Sequence, residues 1–436
     1  MADQVSAATK RRTPFYGWWI VALGFTNNFC AAGFGTYAFS VFVKSMSDDP
    51  SLGWSRTELV WAVTLSSIVS TATGPLIGPL LDRKHGPRVS MVLIGLAGGL
   101  GLALLSQVSH LWQYYLLFGV LAAFQQHTPI FLVVPTVVSK WFIRQRGRAL
   151  VLSTMGRPLS GIVLLPTTQL LISAVGWRTA WLTLGIIAAA ILVPANGLLM
   201  RRRPEDMGLT PDGDPPTKSE EEGAMPALPA REDSWTLASA IRTRPFWLML
   251  VANNLGVAGL IGVLINQVAY LGESFSDTVA VAGATFLTLV SFTGRALWVP
   301  AADRVDARYS VIGAYLMSGL GMLFLINATS IPVVILFGLT FGLGMAGMDP
   351  LMSQVWASYY GRAFLGSIRG FVTLTNLVSF AGAPLFVAFL SDVTGDYRYA
   401  FLVFLVAFSV AALLMYFARR PQAPKGEEAI PLLAQP

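Results

Sequence analysis

Four ionisable side chains stand inside long apolar stretches of this sequence: His127, Arg157, Arg295 and Asp349. Arg295 is the most costly of them to bury, because its stretch, residues 284–300, contains no other charged residue. A cation near the middle of a bilayer costs about 3 kcal/mol or more, and arginine does not escape that cost by losing its proton. Arg295 therefore predicts an anion, or a water-filled cavity, inside a membrane.

The two arginines each have a functional and a structural interpretation. Arg295 either binds an anionic substrate or forms a structural ion pair with Asp349. Arg157 has Ser153 and Ser160 one turn away on its own helix face. It either supplies a second cation to the binding site or extends its guanidinium to the membrane surface.

Asp349 and His127 are the candidates for proton chemistry. Asp349 either carries a proton that couples to transport or stays ionised in a pair with an arginine and serves as a lock. His127 either relays protons and binds an anion or is a packing histidine. Asn28 adds a polar group to the first apolar stretch, where it faces substrate or forms a helix–helix hydrogen bond.

The motifs of catalysis and of cofactor binding are absent from the sequence. It has no zinc motif, nucleotide-binding loop, nucleophile elbow or Cys/His cluster, and its single cysteine, Cys30, lies in an apolar stretch. We therefore expect no enzyme activity, no catalytic residue, no cofactor and no metal. The net charge of +7 does not indicate nucleic acid, because membrane topology accounts for where the positive residues lie.

The elements that must position these side chains are membrane-spanning helices. Of the 436 residues, 54% are hydrophobic and only 12% are charged, about half the charged content of a soluble domain. A helix crosses the bilayer with about 20 apolar residues. Twelve stretches satisfy this requirement, at residues 16–43, 57–81, 89–107, 111–139, 147–173, 179–200, 245–270, 278–301, 309–326, 331–358, 363–391 and 397–418.

The distribution of lysine and arginine predicts the orientation in the membrane. Of 30 such residues, we assign 24 to segments on one side, four to the other, and only Arg157 and Arg295 to the membrane itself. Positive residues collect on the cytoplasmic side, so we expect both termini there and, given the short loops, a bacterial inner membrane. The predicted domains are a leading segment (1–15), a six-helix half (16–200), a proline-rich linker (201–243), a second half (244–418) and a tail (419–436).

The two halves repeat each other in sequence. Five short motifs recur in the same order, each 218 to 226 residues after its first copy. This indicates a parallel duplication with the binding site between the halves. The pairs begin at Asn27 and Asn253, Asp82 and Asp303, His127 and Met348, Trp141 and Tyr359, and Gly176 and Asp396.

One loop motif carries a family resemblance. The stretch from residue 78 to residue 88 contains Gly78, Asp82, Arg83, Gly86 and Arg88, and it resembles the signature loop of the major facilitator superfamily. The resemblance implies a twelve-helix transporter fold and a gating role for these residues. Asp82 is expected to meet cationic loop residues and a helix N-terminus, and Gly86 permits a tight turn.

A finer resemblance is to the monocarboxylate transporters and the related oxalate/formate antiporters. It is carried by the Gly-Trp entry at residues 16–19, by the segment around Tyr37, and by the position of Arg295, which the resemblance implies binds a substrate carboxylate. The chain departs from the animal monocarboxylate transporters at Ser291 and near Val41, where those proteins have an aspartate and a lysine, so proton coupling stays open. It also has Asn376 where oxalate exchangers keep a lysine, which argues against a second cation there and against oxalate.

We therefore expect an all-α secondary transporter of a small organic anion, most directly a monocarboxylate, working by proton symport or by anion exchange. The expected partners are the anion, the lipid bilayer and, for symport, a proton, and the chain is expected to be a monomer. Two alternatives stay open. An exporter of drugs or other metabolites would tolerate replacement of Arg295, and a transporter-like sensor would bind its ligand without moving it.

Overall fold

The computed structural model describes residues 15–126, 129–214 and 235–422. Within those residues every long element is helical, and the helices correspond to twelve spans. Their bounds are α1 (17–47), α2 (56–80), α3 (Gly86–Gln107), α4 (111–126 and 129–141), α5 (146–175), α6 (177–199), α7 (Arg244–Ser274), α8 (Asp277–Arg304), α9 (Ala307–Ile326), α10 (Ile331–Tyr360), α11 (Leu365–Thr394) and α12 (Arg398–Phe417).

Length and hydropathy alone mark eight helices of the described chain as able to cross a membrane, and the bent α2 makes a ninth. One of the eight, Arg146–Leu199, contains both α5 and α6. The two pieces of α2 meet at a 42° bend, and α5 runs directly into α6 through Gly176, whose φ of 78° lies in the left-handed region. Glycine is the residue that enters this region without steric cost, so Gly176 turns one long apolar stretch into two spans.

Widened turns interrupt the first half of the molecule. α1 contains a π-helical segment at Gly33–Tyr37, and α4 contains two, at Tyr115–Leu121 and Pro129–Val133. A π-helical turn leaves backbone groups without their ordinary partners, and such turns concentrate at functional sites. The second half has continuous α-helices at the corresponding positions, α7 and α10.

Each half has its own hydrophobic core. The largest cluster of buried apolar side chains is drawn entirely from residues 235–418, and two further clusters are drawn from residues 20–200. The repeated asparagines make equivalent contacts in the two halves. Asn28 of α1 donates to the carbonyl of Ser153 in α5 at 3.1 Å, and Asn254 of α7 donates to the hydroxyl of Thr375 in α11 at 2.9 Å.

The linker begins as an ordered strap. Residues 201–214 contain two short 3-10 turns, Pro204–Met207 and Pro211–Gly213, and they lie against the loop that follows α4. The carboxylate of Asp212 accepts backbone N–H bonds from Ile143, Arg144 and Gln145. We refer to this end of the molecule, where the strap lies, as the linker face.

Candidate functional site

A cavity lies where the two halves meet, and we refer to it as the central cavity. Its volume of about 60 Å³ holds about four to six water-sized groups, at 10–15 Å³ each, which is the size of a small organic acid. Helices α7, α10 and α11 form most of its wall, and the first half contributes Phe131 and Arg157. Its polar lining residues are Arg157, Asn253, Arg295, Tyr315, Asp349, Ser353, Arg369, Thr373 and Asn376.

Arg295 points from α8 into the central cavity and is only 2% exposed. Its Nη1 donates to the hydroxyl of Thr154 in α5 at 2.9 Å, and its Nε has no hydrogen-bond partner. One turn earlier on α8, the buried hydroxyl of Ser291 is also without a partner. Within the described residues, Arg295 therefore forms no ion pair, and the Asp349 carboxylate that attracts it is bonded to Arg157. The unused donor of Arg295 suits an anionic ligand.

Asp349 pairs with Arg157 across the two halves. Nη2 of Arg157 lies 2.8 Å from Oδ2 of Asp349, and the two side chains are 18% and 24% exposed. The Arg157 guanidinium also lies 5.3 Å from the centre of the Phe131 ring, a distance suited to a cation–π contact. The alternative in which Asp349 pairs with Arg295 is wrong in this structure, as is the one in which Arg157 extends to the membrane surface.

Arg369 is a third arginine in the central cavity, and it was not among the residues predicted for the site. It lies in α11, is 8% exposed, donates from Nη2 to the carbonyl of Phe131 at 2.7 Å, and has an unpartnered Nε. Assigning Arg369 to the loop cations was wrong, because it lies inside α11 and lines the cavity. The signal was present, because Arg369 lies six residues inside the predicted span 363–391 and two turns before Asn376.

All three arginines of the central cavity make their hydrogen bonds across the boundary between the halves. Arg157 of α5 meets Asp349 of α10, Arg295 of α8 meets Thr154 of α5, and Arg369 of α11 meets the backbone of α4. The described lining contains three guanidiniums and one carboxylate. A ligand that binds these arginines must therefore compete with contacts that hold the halves together.

The other predicted site residues occupy varied positions. Asn376 lines the central cavity and accepts a hydrogen bond from Asn253 at 2.8 Å. Asn28 is fully buried between α1 and α5, outside the cavity lining. Tyr37 lies in the π-helical segment of α1, where its ring faces Gly161 of α5. His127 lies outside the described residues.

The linker face is closed by Asp82, which follows α2. Its carboxylate accepts from Nζ of Lys140 at 2.7 Å, from the backbone N–H groups of Gly366 and Ser367 at 3.1 and 3.0 Å, and from the Ser367 hydroxyl at 2.8 Å. Arg202 of the strap donates to the Asp82 carbonyl at 2.7 Å. A negative charge at the first turn of α11 is stabilised by the dipole of that helix.

Glycines bring α2 and α11 into backbone contact above this carboxylate. A Cβ atom on Gly78 would lie 2.5 Å from the carbonyl oxygen of Gly366, and one on Gly74 would lie 2.7 Å from that of Gly370. At Gly86, where the loop turns into α3, a Cβ would lie 1.5 Å from the carbonyl of Leu80. Arg83 and Arg88, the basic residues of the same loop motif, are exposed.

The comparisons with known proteins agree with this architecture. A family model described as Major Facilitator Superfamily matches residues 25–295 and 258–435. Human monocarboxylate transporter 2 is 24% identical over 423 residues, covering 92% of this chain and 85% of that protein. Monocarboxylate transporter 4 of Rattus norvegicus is 27% identical over 439 residues, covering 96% and 88%. The resemblance to monocarboxylate transporters is thereby confirmed.

Solved structures support the fold. FucP, a Major Facilitator Superfamily transporter in the outward conformation, superposes with a TM-score of 0.71 at 13% identity, covering 93% of this chain and all of that one. The human organic anion transporter MFSD10 superposes with a TM-score of 0.67 at 16% identity and the same coverage. The predicted major facilitator fold, two six-helix halves in a membrane, is confirmed.

Proposed function

This chain belongs to the Major Facilitator Superfamily and is an integral membrane transporter rather than an enzyme, and from that premise we propose that it carries a small organic anion, a monocarboxylate, by alternating access. The observation that carries the proposal is Arg295, a buried guanidinium without a carboxylate partner among the described residues, in a cavity between the halves. The monocarboxylate transporters to which the chain is similar give the substrate class.

The fit between site and substrate is electrostatic and geometric. A carboxylate accepts two parallel N–H bonds from a guanidinium, and charge-assisted bonds of this kind are about twice as strong as neutral ones. Arg295 at present bonds a neutral hydroxyl, that of Thr154, which a carboxylate outcompetes. The methionine and aliphatic side chains of α7 and α10 on the wall, such as Val257 and Met348, suit the short apolar body of a small acid.

Substrate binding acts on the contacts between the halves. An anion that takes Arg295 away from Thr154 removes a bond between α8 and α5 and weakens the closure of the linker face, which Asp82 maintains. Rocking of the two halves about the central cavity then exposes the anion to the opposite side. The linker face would be the cytoplasmic side, as the distribution of positive residues predicts.

Asp349 is the group we propose for coupling. While Arg157 is bonded to it, the carboxylate is stabilised as an anion. If the substrate or the rocking motion draws Arg157 away, an unpaired carboxylate in a site of low polarity is costly unless it takes up a proton. Binding of the anion and binding of a proton would then favour each other, which is proton symport. If Asp349 keeps its arginine throughout the cycle, the protein is an anion exchanger.

Transport into liposomes tests this proposal. Purified protein is reconstituted, and uptake of labelled lactate, pyruvate and formate is measured with and without an inward proton gradient, for wild type and Asp349→Asn. Uptake stimulated by the gradient in wild type alone supports symport at Asp349. Exchange against internal acid that ignores the gradient supports exchange. Absence of flux for every acid by folded protein contradicts the proposal and leaves export of other metabolites or ligand sensing.

A further inference from the structure

Two of the three cavity arginines have no acidic partner among the described residues. Arg157 is balanced by Asp349 at 2.8 Å. Arg295 and Arg369 bond only a hydroxyl and a backbone carbonyl, and both have a buried Nε with no acceptor. A buried guanidinium with unused donors is costly. The three guanidiniums and one carboxylate of the described lining leave two net positive charges, and a monocarboxylate supplies only one negative charge.

The two unbalanced arginines approach the cavity from different helices. Arg295 lies on α8 and Arg369 on α11, and both line the central cavity. A single carboxylate balances one of them and leaves the other bonded to a neutral group. A molecule with a carboxylate at each end and a short apolar spacer balances both, and the lining of the cavity includes apolar side chains such as Val257 and Met345.

We propose that Arg369 forms a second anion subsite, so that the cavity proposed to carry monocarboxylates also takes a small dicarboxylate and binds it more tightly, with one carboxylate on Arg295 and the other on Arg369. This rests on the proposed function, since it assigns the substrate class of the same cavity. The hydrogen bond that Arg369 makes is to the neutral carbonyl of Phe131. That bond is weaker than one to a carboxylate and is readily exchanged for it.

Paired ligands that differ by one charge test the second subsite. Binding of malonate and of its monoamide malonamate, which share a three-carbon skeleton, is measured by calorimetry on purified protein at neutral pH. The variants are Arg369→Gln and Arg369→Lys, and the control is Arg304→Gln, an exposed arginine at the end of α8. A hydrogen bond to a charged group contributes about 1.5–3 kcal/mol, which corresponds to about a 10- to 150-fold preference for malonate.

We expect that preference in wild type and in Arg304→Gln, and its loss in Arg369→Gln with malonamate affinity kept within about threefold. Arg369→Lys should recover part of it, because lysine keeps the charge but not the planar fork. Equal affinities for the two ligands in wild type, or equal loss of both in Arg369→Gln, would overturn the second subsite while leaving monocarboxylate transport in place. Failure of folded wild type to bind either ligand, or pyruvate, would overturn both proposals.

Discussion

Replacing Asp349 with asparagine removes the negative end of the ion pair that joins α10 to α5. The pair has an N–O distance of 2.8 Å and side chains 18% and 24% exposed. The exposure of this pair is intermediate. Exposed pairs contribute at most about 1 kcal/mol, and the disruption of a fully buried pair costs about 3–5 kcal/mol. We therefore expect a loss of about 1–3 kcal/mol, or a shift of about 5- to 150-fold, away from the conformation closed at the linker face.

Distances between spin labels measure that shift. Labels at Lys84→Cys in the loop after α2 and Val305→Cys in the loop after α8 report on opposite halves at the linker face, and both positions are exposed. The only native cysteine, Cys30, is 1% exposed and is replaced by alanine. Wild type should give one short distance, and Asp349→Asn should add a longer one.

A double-mutant cycle refines this result. Arg157→Gln should produce the same longer distance as Asp349→Asn, and the double variant should do no more than either alone, because both remove one interaction. Asp48→Asn, at an exposed carboxylate outside the boundary between the halves, is the control and should leave the short distance unchanged. Additive effects of the two single variants, or an unchanged distance in Asp349→Asn, would refute the assignment of this pair as a lock between the halves.

Two further perturbations probe the linker face. Gly78→Val should abolish transport and populate the longer label distance even without ligand, because a Cβ there would lie 2.5 Å from the Gly366 carbonyl; unaltered transport would contradict the close contact. Burial raises the pKa of Asp206, but hydrogen bonds from Arg202 and Arg203 outweigh it and hold that pKa below its ordinary 3.8. The Asp206 carboxylate therefore stabilises the fold near neutral pH and loses this effect as the pH falls through its folded-state pKa. Thermal unfolding should show Asp206→Asn less stable than wild type at pH 7, with the gap closing below about pH 4.

Much of the fold can be predicted from local sequence. Twelve apolar stretches of spanning length predict the twelve helices, because the bilayer demands such a length of each. The loop motif around Asp82 indicates how the linker face closes, since the carboxylate is placed at the level of the loops that carry cations. Arg295 predicts an anion site because a guanidinium in apolar surroundings is costly until an anion or water meets it.

The contacts of Asp349 and Arg369 could not be predicted, because they depend on how the two halves pack together. Asp349 shares the cavity with three arginines, and the sequence does not say which of them it bonds, because Arg157 reaches it only once α5 packs against the second half. Arg369 lies near the predicted start of α11, where an arginine can also reach the interface. Only the packing of α4 against α11 turns it inward to the carbonyl of Phe131.

The central claim, that Arg295 binds the carboxylate of the transported anion, is tested most directly by counterflow of labelled pyruvate in proteoliposomes. Wild type is compared with Arg295→Lys and with Arg304→Lys, a change of the same type at an exposed position of the same helix. We predict that Arg295→Lys reduces counterflow at least about tenfold, since lysine lacks the paired donors that match a carboxylate, while Arg304→Lys keeps wild-type rates. Equal counterflow in all three proteins would contradict the claim.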